Sequence, residues 1–309
     1  MIKASTLDTI GGTPVVRLNK IVPPDSADVL VKLEYFNPTG SYKDRMAKAM
    51  IEYAERRGTL KPGMTVVEYT GGSTGSSLAF VCAVKGYRFQ VVSSDAFSKE
   101  KLRTMEAFGA ELTVVPSQGG IITPDLIPRM IEVARKLAAE PNTYWTDQFN
   151  NRDMLKGYEM LANELAAQID RKIDVFCGAF GTAGMLMGVG RSLKDGQDNT
   201  RIVGFEPGSS PLISHGTAGA HHVEGIGTGF VPPLFDASIV DEVRAIDEGE
   251  GREMARRLAR EEGIFAGTSS GLNIVGALQI ARELGKGHTV VTVACDSGLK
   301  YLAGDLYEF

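Results

Sequence analysis

Residues 65–86 read TVVEYTGGSTGSSLAFVCAVKG. A β-branched run opens this stretch, a glycine-rich turn follows it, and a segment of small and apolar residues completes it. This order predicts a buried strand, a tight turn and a helix. The turn and the start of the helix present backbone N–H groups, which bind anions. We therefore expect a carboxylate or a phosphate at this turn.

The same alternation of strand and helix patterns continues along the chain. The predicted strands are short β-branched runs, namely DVLVKLEY (28–35), TVVEYT (65–70), RFQVVSS (88–94), ELTVVPS (111–117), DVFCGAF (174–180), RIVGFEP (201–207) and TVVTVAC (289–295). Two segments between these strands have apolar residues at the spacing of a helix. The first contains Met46, Met50, Ile51 and Ala54, and the second contains Leu102, Met105 and Phe108. This alternation predicts an α/β fold with parallel sheets, which bind ligands beyond the carboxyl ends of their strands.

Length and charge narrow the function classes. A chain of 309 residues is long for one hydrophobic core, so two units are expected, with a boundary near Gln148. Lys and Arg total 33 against 38 Asp and Glu, which argues against a nucleic-acid partner. Charges interrupt every apolar run, and the first residues, MIKASTLDTIGG, contain no apolar signal core. We expect no membrane span and a cytosolic location.

The cysteine and histidine residues suggest no metal site and no disulfide. Cys82, Cys177 and Cys295 are far apart, and each lies in an apolar pattern, so we expect buried free thiols. No HExxH or CxxC motif occurs, and His221 and His222 are adjacent, which points their side chains in different directions. Neither a structural nor a catalytic metal is expected.

A second junction, EYFNPTGSYKDRMAKAM (34–50), places Lys43 at the start of a helix. The positive potential of a helix N-terminus and burial both lower the pKa of a lysine, which makes its amine a nucleophile for carbonyls. This pattern is compatible with Schiff-base chemistry. On this segment alone, a solvent-exposed lysine whose stem covers apolar surface is the alternative interpretation.

Two further junctions resemble anion sites. In DVFCGAFGTAGMLMGVG (174–190), a strand is followed by a glycine-rich turn at a helix start, which suits a phosphate. In GIFAGTSSGLNIVGALQIA (263–281), Ser269 and Ser270 precede the last helix, where ordinary N-capping is the alternative interpretation.

GxSxG, the nucleophile-elbow spacing of serine hydrolases, occurs twice, around Ser73 and Ser269. For Ser269 the chain order is wrong, because the only later histidine, His288, precedes Asp296. All four histidines follow Ser73, so the order leaves a hydrolase open there, although no HGGG-type loop is present.

The stretch KLEYFNPTGSYKDRMAKAMIEYAERRG (32–58) resembles the cofactor-lysine segment of the cysteine synthase and cystathionine β-synthase family, which are pyridoxal-phosphate enzymes of fold type II. Further matching segments follow in family order: VEYTGGSTGSSLA, YWTDQFNN, GTAGMLMGVG, EPGSSPLI, GIGTGFVP, GTSSG and DSGLKYL. The resemblance implies two three-layer domains with parallel sheets, similar to the tryptophan synthase β subunit. It places residues 1–40 and 150–309 in a larger phosphate-binding domain and residues 41–149 in a smaller, mobile domain.

The resemblance also implies roles for individual residues. Lys43 would form the Schiff base with pyridoxal 5'-phosphate and move the substrate α-proton. The other cofactor contacts implied are Ser73, Gly181, Thr182, Ala183, Gly184, Met185 and Ser269. The contacts implied for the amino-acid substrate, above all its carboxylate, are Thr70, Gly71, Gly72, Ser73, Thr74 and Gln148.

Three segments depart from the family pattern. The substrate loop, usually TSGNTG, reads TGGSTG from Thr70. The phosphate-binding turn, usually GTGGT, has Ala183 and Met185 in place of a glycine and a threonine. The usual proline before DSG is Cys295. These departures bear on the choice of substrate and on cofactor retention.

The activity implied is β-replacement on an activated serine, most simply O-acetylserine with sulfide, giving cysteine and acetate in a homodimeric enzyme. Enzymes that use another donor or nucleophile keep the same lysine and loop: cystathionine β-synthase, O-phosphoserine sulfhydrylase, diaminopropionate synthase and serine or threonine dehydratase. A binding or regulatory module without catalysis is an alternative of a different class.

Overall fold

The structure is a computed structural model that describes residues 2–308 except 121, 122, 124, 197 and 198. The chain divides into two compact units, a smaller one of Met1–Ile10 and Lys43–Met154 and a larger one of Gly11–Tyr42 and Leu155–Phe309. The expected division, 1–40 with 150–309 against 41–149, differs most at the N-terminus. Residues up to Ile10 belong to the smaller unit, because Leu7 is buried and its 3-10 turn packs on a helix of that unit.

The strands in the described part of the chain are, in order, β1 (Val15–Arg17), β2 (Asp28–Leu33), β3 (Thr65–Tyr69), β4 (Arg88–Ser94), β5 (Glu111–Val115), β6 (Thr143–Trp145), β7 (Val175–Ala179), β8 (Arg201–Pro207), β9 (Glu242–Ile246) and β10 (Thr289–Ala294). The α-helices there are α1 (Lys43–Arg57), α2 (Ser73–Lys85), α3 (Lys99–Ala107), α4 (Leu126–Ala138), α5 (Met154–Gln168), α6 (Gly184–Gly196), α7 (Leu212–His215), α8 (Glu248–Arg257) and α9 (Thr268–Leu284).

The smaller unit contains a parallel sheet with the strand order β5-β4-β3-β6. In the central strand β3, Val66 to Tyr69 are all buried. Since successive side chains of a strand point to opposite faces, both faces of this strand are covered. Helix α4 packs on the sheet, where Leu126 and Met130 join Val67 in one apolar cluster. The carboxyl ends of β3 and β4 therefore lie at one edge of a well-packed layer.

The larger unit contains a sheet with the strand order β1-β2-β10-β7-β8-β9, in which β1 is antiparallel to β2 and the other pairs are parallel. Every residue of the neighbouring strands β7 and β10 is buried. Helix α9 packs on both strands, and its Ile274 and Ala277 are fully buried with Val290. The sheet is thus covered on both of its faces at its centre.

All of the strands expected from the β-branched runs are present, most of them slightly shorter than predicted. The strands that the sequence did not indicate are β1, β6 and β9, and each lies at an edge of its sheet. Their residues are mostly half-exposed, so they lack the continuous apolar run that identifies a central strand. The predicted helical positions Met46 and Met105 are fully buried, whereas Phe108 comes just after the end of α3.

Cys82, Cys177 and Cys295 are free and buried, as expected. Burial raises the pKa of the Cys82 and Cys177 thiols to about 12, which keeps them protonated and unreactive. Within the described ranges, no three or more His, Cys, Asp or Glu side chains are grouped so as to hold a metal ion. None of the helices described there combines the length and the apolar composition that crossing a membrane requires.

Candidate active site

Lys43 is the first residue of α1 and is buried, with 8% of its surface exposed. The interpretation of this side chain as a solvent-exposed lysine is therefore wrong. The preceding turn reverses the chain at Gly40, whose φ of 70° is in the left-handed region that favours glycine. The Lys43 side chain is thus enclosed by protein at a helix N-terminus. This is the environment that a lysine needs to react with a carbonyl.

The residues just before Lys43 are fixed by backbone pairing inside the larger unit. The N–H of Tyr42 donates to the carbonyl of Cys295 at 3.0 Å, and the N–H of Ser297 donates to the carbonyl of Gly40 at 3.0 Å. Ser41 forms an antiparallel bridge with Asp296 between these two bonds. Lys43 therefore follows a short segment whose backbone is held on both sides of the bridge.

The loop from Thr70 to Gly75 connects β3 to α2 in the smaller unit. Helix α2 begins at Ser73, and its N-cap is Gly72, whose N–H is donated to the Thr70 hydroxyl at 3.2 Å. Within the described part of the chain, no side chain caps this end, and the Gly75 N–H donates to the Gly72 carbonyl at 3.0 Å. N–H groups at a helix start that lack an intrahelical acceptor are the groups that bind anions. This is the geometry that the sequence predicted for an anion site.

Gln148, 74 residues beyond Thr74, is brought against this loop. The Thr74 hydroxyl donates to Gln148 Oε1 at 2.8 Å, and Gln148 Nε2 donates to the carbonyl of Tyr69 at 3.1 Å. Because a carbonyl only accepts, the second contact fixes which end of the amide is nitrogen. The structure thus joins Gln148 to the predicted substrate loop, and one amide hydrogen remains for a further acceptor.

Glu68, which the sequence analysis did not single out, lies beneath this loop on β3 and is fully buried. Its Oε2 accepts from the Thr146 hydroxyl at 2.7 Å and from the N–H of Gln148 at 2.9 Å, and its Oε1 accepts from the N–H of Tyr69 at 2.9 Å. Burial raises the pKa of this carboxyl group to about 7, although the hydrogen bonds act in the opposite direction. The available signal was an acidic residue inside an otherwise apolar strand.

The phosphate-binding turn predicted in the larger unit joins β7 to α6. The helix begins at Gly184, after Thr182 and Ala183, and the Met187 N–H donates to the Ala183 carbonyl at 3.0 Å. Ala183 has a φ of 65°, so an alanine stands in the left-handed conformation that glycine adopts more easily. The first N–H groups of α6, including that of Met185, have no partner within the helix itself.

The side chain of Met185 packs away from this helix end. A β-carbon on Gly178 of β7 would lie 2.8 Å from Met185 Cε, so the thioether fills the space left by that glycine. The contribution of Met185 to an anion site is therefore limited to its backbone N–H group. Where the resembled family has a threonine hydroxyl, this chain has an apolar contact with the sheet.

Ser269 lies in the first turn of α9 and is 6% exposed. The N-capping interpretation of Ser269 and Ser270 is wrong, because the N-cap is Gly267 and no side chain caps the helix. The Ser270 hydroxyl instead accepts the N–H of Cys295 at 2.9 Å. The neighbouring Thr268 hydroxyl is buried and has no hydrogen-bond partner among the residues that the structure describes.

Asn273, one turn beyond Ser269, was also missed from the sequence. Its Oδ1 accepts the N–H of Ala179 at 2.8 Å, and its Nδ2 donates to the carbonyl of Val293 at 3.0 Å. The fully buried amide thereby ties α9 to the carboxyl ends of β7 and β10. The start of α9, with Ser269, is thus held at the edge of the sheet where α6 also begins. An amide inside an apolar helix pattern was the only local signal.

The histidines do not support a serine hydrolase within either unit. The smaller unit, which holds Ser73, contains no histidine. His288 precedes β10 and lies 3.5 Å from Asp174, which precedes β7, so this pair is at the amino ends of the strands. Ser269 is at the carboxyl ends, so a triad with His288 cannot form.

These donors fit pyridoxal phosphate. The α6 start offers backbone N–H groups for a phosphate, and the α9 start offers Ser269 together with a Thr268 hydroxyl that has no hydrogen-bond partner in the described ranges. In the smaller unit, Lys43 is a buried amine at a helix start, which suits an aldehyde. The loop with Gln148 suits a carboxylate.

Comparison with known proteins agrees with this donor set. The family described as pyridoxal-phosphate dependent enzyme matches residues 6–296. The chain is 45% identical to a cysteine synthase of Staphylococcus aureus over 97% of this chain and 96% of that protein. It is 38% identical to an O-ureido-L-serine synthase of Streptomyces lavendulae over 98% and 92%.

Among solved structures, the cysteine synthase of Entamoeba histolytica superposes with a TM-score of 0.94 at 34% identity, covering 100% of this chain and 92% of that one. This likeness confirms the α/β fold with parallel sheets expected for fold type II. The structural and sequence matches cover the chain almost completely. On these grounds the chain belongs to the pyridoxal-phosphate dependent enzymes, among relatives of the cysteine synthase type.

Proposed function

We propose that this protein is a pyridoxal-phosphate dependent enzyme that replaces the Cβ substituent of an activated serine, with O-acetylserine and sulfide as its substrates and cysteine and acetate as its products. The observation that carries the proposal is the buried Lys43 at the start of α1, in a chain 45% identical to a cysteine synthase. The family match supports the cofactor, and the relatives support the type of reaction.

When bound, pyridoxal phosphate supplies an aldehyde and an electron-withdrawing ring that eases loss of the α-proton and of the Cβ substituent. Lys43 would be the covalent attachment point, and its amine would accept the substrate α-proton and return it. Burial supports this role, because an uncharged amine is needed for both tasks. Lys43 is thus the residue on which the chemistry depends.

Cofactor retention would be shared between backbone and hydroxyl donors. The N–H groups at Gly181, Thr182, Ala183, Gly184 and Met185 would bind the phosphate at the α6 N-terminus. Ser269 would hydrogen-bond the pyridine nitrogen. Because a hydroxyl does not keep that nitrogen protonated as an aspartate would, the ring withdraws electrons less strongly, which favours elimination at Cβ over transamination.

The substrate carboxylate would be bound by the loop of Thr70, Gly71, Gly72, Ser73 and Thr74, with Gln148 beside it. Ser73, in the place of the family's asparagine, would also contact the cofactor. The hydrogen bond between Thr74 and Gln148 supports one continuous binding surface. The α2 N-terminus adds uncapped N–H donors to it.

A second candidate keeps the elimination at Cβ of a serine-type amino acid but uses another amino-acid donor or another nucleophile. It is favoured by the 38% identity to an O-ureido-L-serine synthase and by the departures at Gly71 and Ser73 from the loop usual in the resembled family. Cystathionine β-synthase, O-phosphoserine sulfhydrylase, diaminopropionate synthase and dehydratase activities belong to this group.

The assembly and compartment are also part of the proposal. The family resemblance supports a homodimer. The acidic composition, with charges interrupting every apolar run, supports a cytosolic enzyme that handles small metabolites. Light scattering coupled to size-exclusion chromatography measures the oligomeric state directly.

The experiment that tests the function combines covalent trapping with a donor screen. Holoenzyme reduced with borohydride should carry the cofactor on the Lys43 peptide, as measured by mass spectrometry. Lys43→Ala should lose both the adduct and the visible absorbance band. Lys48→Ala, on the same helix, should keep both, because Lys48 is near Glu52 on the surface. An adduct at another lysine would overturn the proposal.

The donor screen then separates the two candidates. O-acetylserine, O-phosphoserine, serine and threonine are each added with sulfide, homocysteine or an amine, and the change of the visible band and the product are recorded. Fast cysteine formation from O-acetylserine and sulfide supports the first candidate. A strong preference for another pair replaces it with the second.

A further inference from the structure

Three hydrogen bonds converge on the buried carboxylate of Glu68. One comes from the next residue of its own strand, Tyr69, and two come from the segment after β6, from Thr146 and Gln148. All of these residues belong to the smaller unit. A single side chain on β3 therefore fixes the backbone of Gln148 relative to the start of the loop that follows Tyr69.

Gln148 is in turn fixed through its side chain. The Thr74 hydroxyl donates to the oxygen of its amide, and the nitrogen of the amide donates one hydrogen to the Tyr69 carbonyl. With its backbone held by Glu68, the amide has little freedom to rotate away from the loop. Its remaining amide hydrogen is thus held in one place, which is what selective recognition of an acceptor requires.

A carboxylate suits this position for a geometric reason. The donors reach both oxygens of Glu68, and the two backbone N–H groups cannot act as acceptors. A glutamine would offer one acceptor oxygen, and its NH₂ group would face an N–H donor. The isosteric amide would therefore push Tyr69 and Gln148 apart while preserving the volume of the side chain.

We propose that Glu68 is a positioning residue that holds Gln148 against the loop Thr70–Thr74 and thereby gives the enzyme its selectivity for a substrate with an α-carboxylate. The inference rests on the proposed function, in which that loop and Gln148 bind the substrate carboxylate. It extends the binding machinery to a residue that touches neither substrate nor cofactor.

The test compares two ligands that differ only in the carboxylate, L-alanine and ethylamine, neither of which carries a leaving group. Calorimetric titration of the holoenzyme gives both dissociation constants and is done above pH 8, where the Glu68 carboxyl group, with its pKa raised to about 7, is ionised. In Glu68→Gln, the Kd of L-alanine should rise about tenfold while that of ethylamine changes by less than about twofold. Thr146→Val, which removes one donor and keeps the side-chain shape, should weaken L-alanine binding by about threefold.

Glu262→Gln is the matched control, because Glu262 also accepts three hydrogen bonds, from the backbone N–H groups of Asn19, Lys20 and Ile21, but lies in the larger unit. It should leave both dissociation constants unchanged. An unchanged L-alanine Kd in Glu68→Gln and Thr146→Val, or an equal loss for both ligands, would overturn the inference. If Glu68→Gln fails to fold, Thr146→Val decides between these outcomes.

The borohydride adduct separates this inference from the proposed function. An adduct at Lys43 in the wild type and in Thr146→Val, with no change of ligand preference, would refute the role of Glu68 alone. A wild type without that adduct refutes the proposed function, whatever the two ligands show.

Discussion

The aromatic ring of Phe97 fills the space next to Gly71 into which a side chain at residue 71 would project. Phe97 follows β4, and Gly71 follows the neighbouring strand β3, so the contact forms where two parallel strands end. The resembled family has a serine at the position of Gly71. The absence of that hydroxyl in this chain is therefore coupled to an aromatic ring that would collide with it.

We expect Gly71→Ser to destabilise the protein by about 1–3 kcal/mol, because the new side chain forces Phe97 out of its position. In the Phe97→Ala background the same change should cost much less. Denaturant unfolding of the wild type, both single variants and the double variant gives the coupling energy between the two sites. Additive costs would mean that the ring and the glycine do not constrain each other.

Glu68 predicts a pH dependence of stability. Burial raises the pKa of its carboxyl group from 4.5 to about 7, so the folded protein keeps a proton that the unfolded chain releases between those values. Its contribution to the free energy of unfolding is fully present below about pH 4.5 and is lost as the pH rises toward 7. Glu68→Gln removes this dependence.

The difference in stability between Glu68→Gln and the wild type should therefore shift in favour of the variant by up to about 3 kcal/mol between pH 4.5 and 7.5. Thermal midpoints of both proteins across this range measure the shift. A constant difference would show that the pKa of Glu68 is the same in the folded and unfolded states.

The backbone conformation of Ala183 determines which substitutions the phosphate-binding turn tolerates. Its φ of 65° is accessible to glycine without strain but is costly for a β-branched residue. Ala183→Gly should change the free energy of unfolding by no more than about 1 kcal/mol, because strain relief offsets the lost methyl group and the freer unfolded chain. Ala183→Val should cost about 2 kcal/mol or more. Chemical denaturation measures both values. Equal free energies of unfolding for Ala183→Val and Ala183→Gly would contradict the left-handed conformation.

Cys295, in the place of the family's proline, makes a hydrogen bond that a proline lacks. Its N–H donates to the Ser270 hydroxyl, so Cys295→Pro should cost about 1 kcal/mol of stability. In the Ser270→Ala background, where the acceptor is already gone, the proline should cost less. Unfolding midpoints of the four proteins measure this, and an equal cost in both backgrounds would assign the effect to the proline ring.

Central strands could be predicted from the sequence, whereas an edge strand and the start of a helix could not. The β-branched runs predicted β3, β7 and β10 because central strands of parallel sheets are buried on both faces and read as continuous apolar segments. The edge strand β6 was not predicted, because its three residues, TYW, are half-exposed and do not form a continuous apolar segment. The serines at 269 and 270 were read as possible caps, but the helix begins one residue earlier, with Gly267 as its N-cap.

Local sequence was enough to predict the alternation of strands and helices, the glycine-rich turns at their junctions and the lysine at the start of α1, because each of these depends on neighbouring residues. The burial of Lys43, and the hydrogen bonds that Glu68 accepts from residues 78 and 80 positions further along the chain, became visible only in the folded structure. Burial and hydrogen-bond partners arise when distant segments pack together, and local patterns carry no record of which segments will meet.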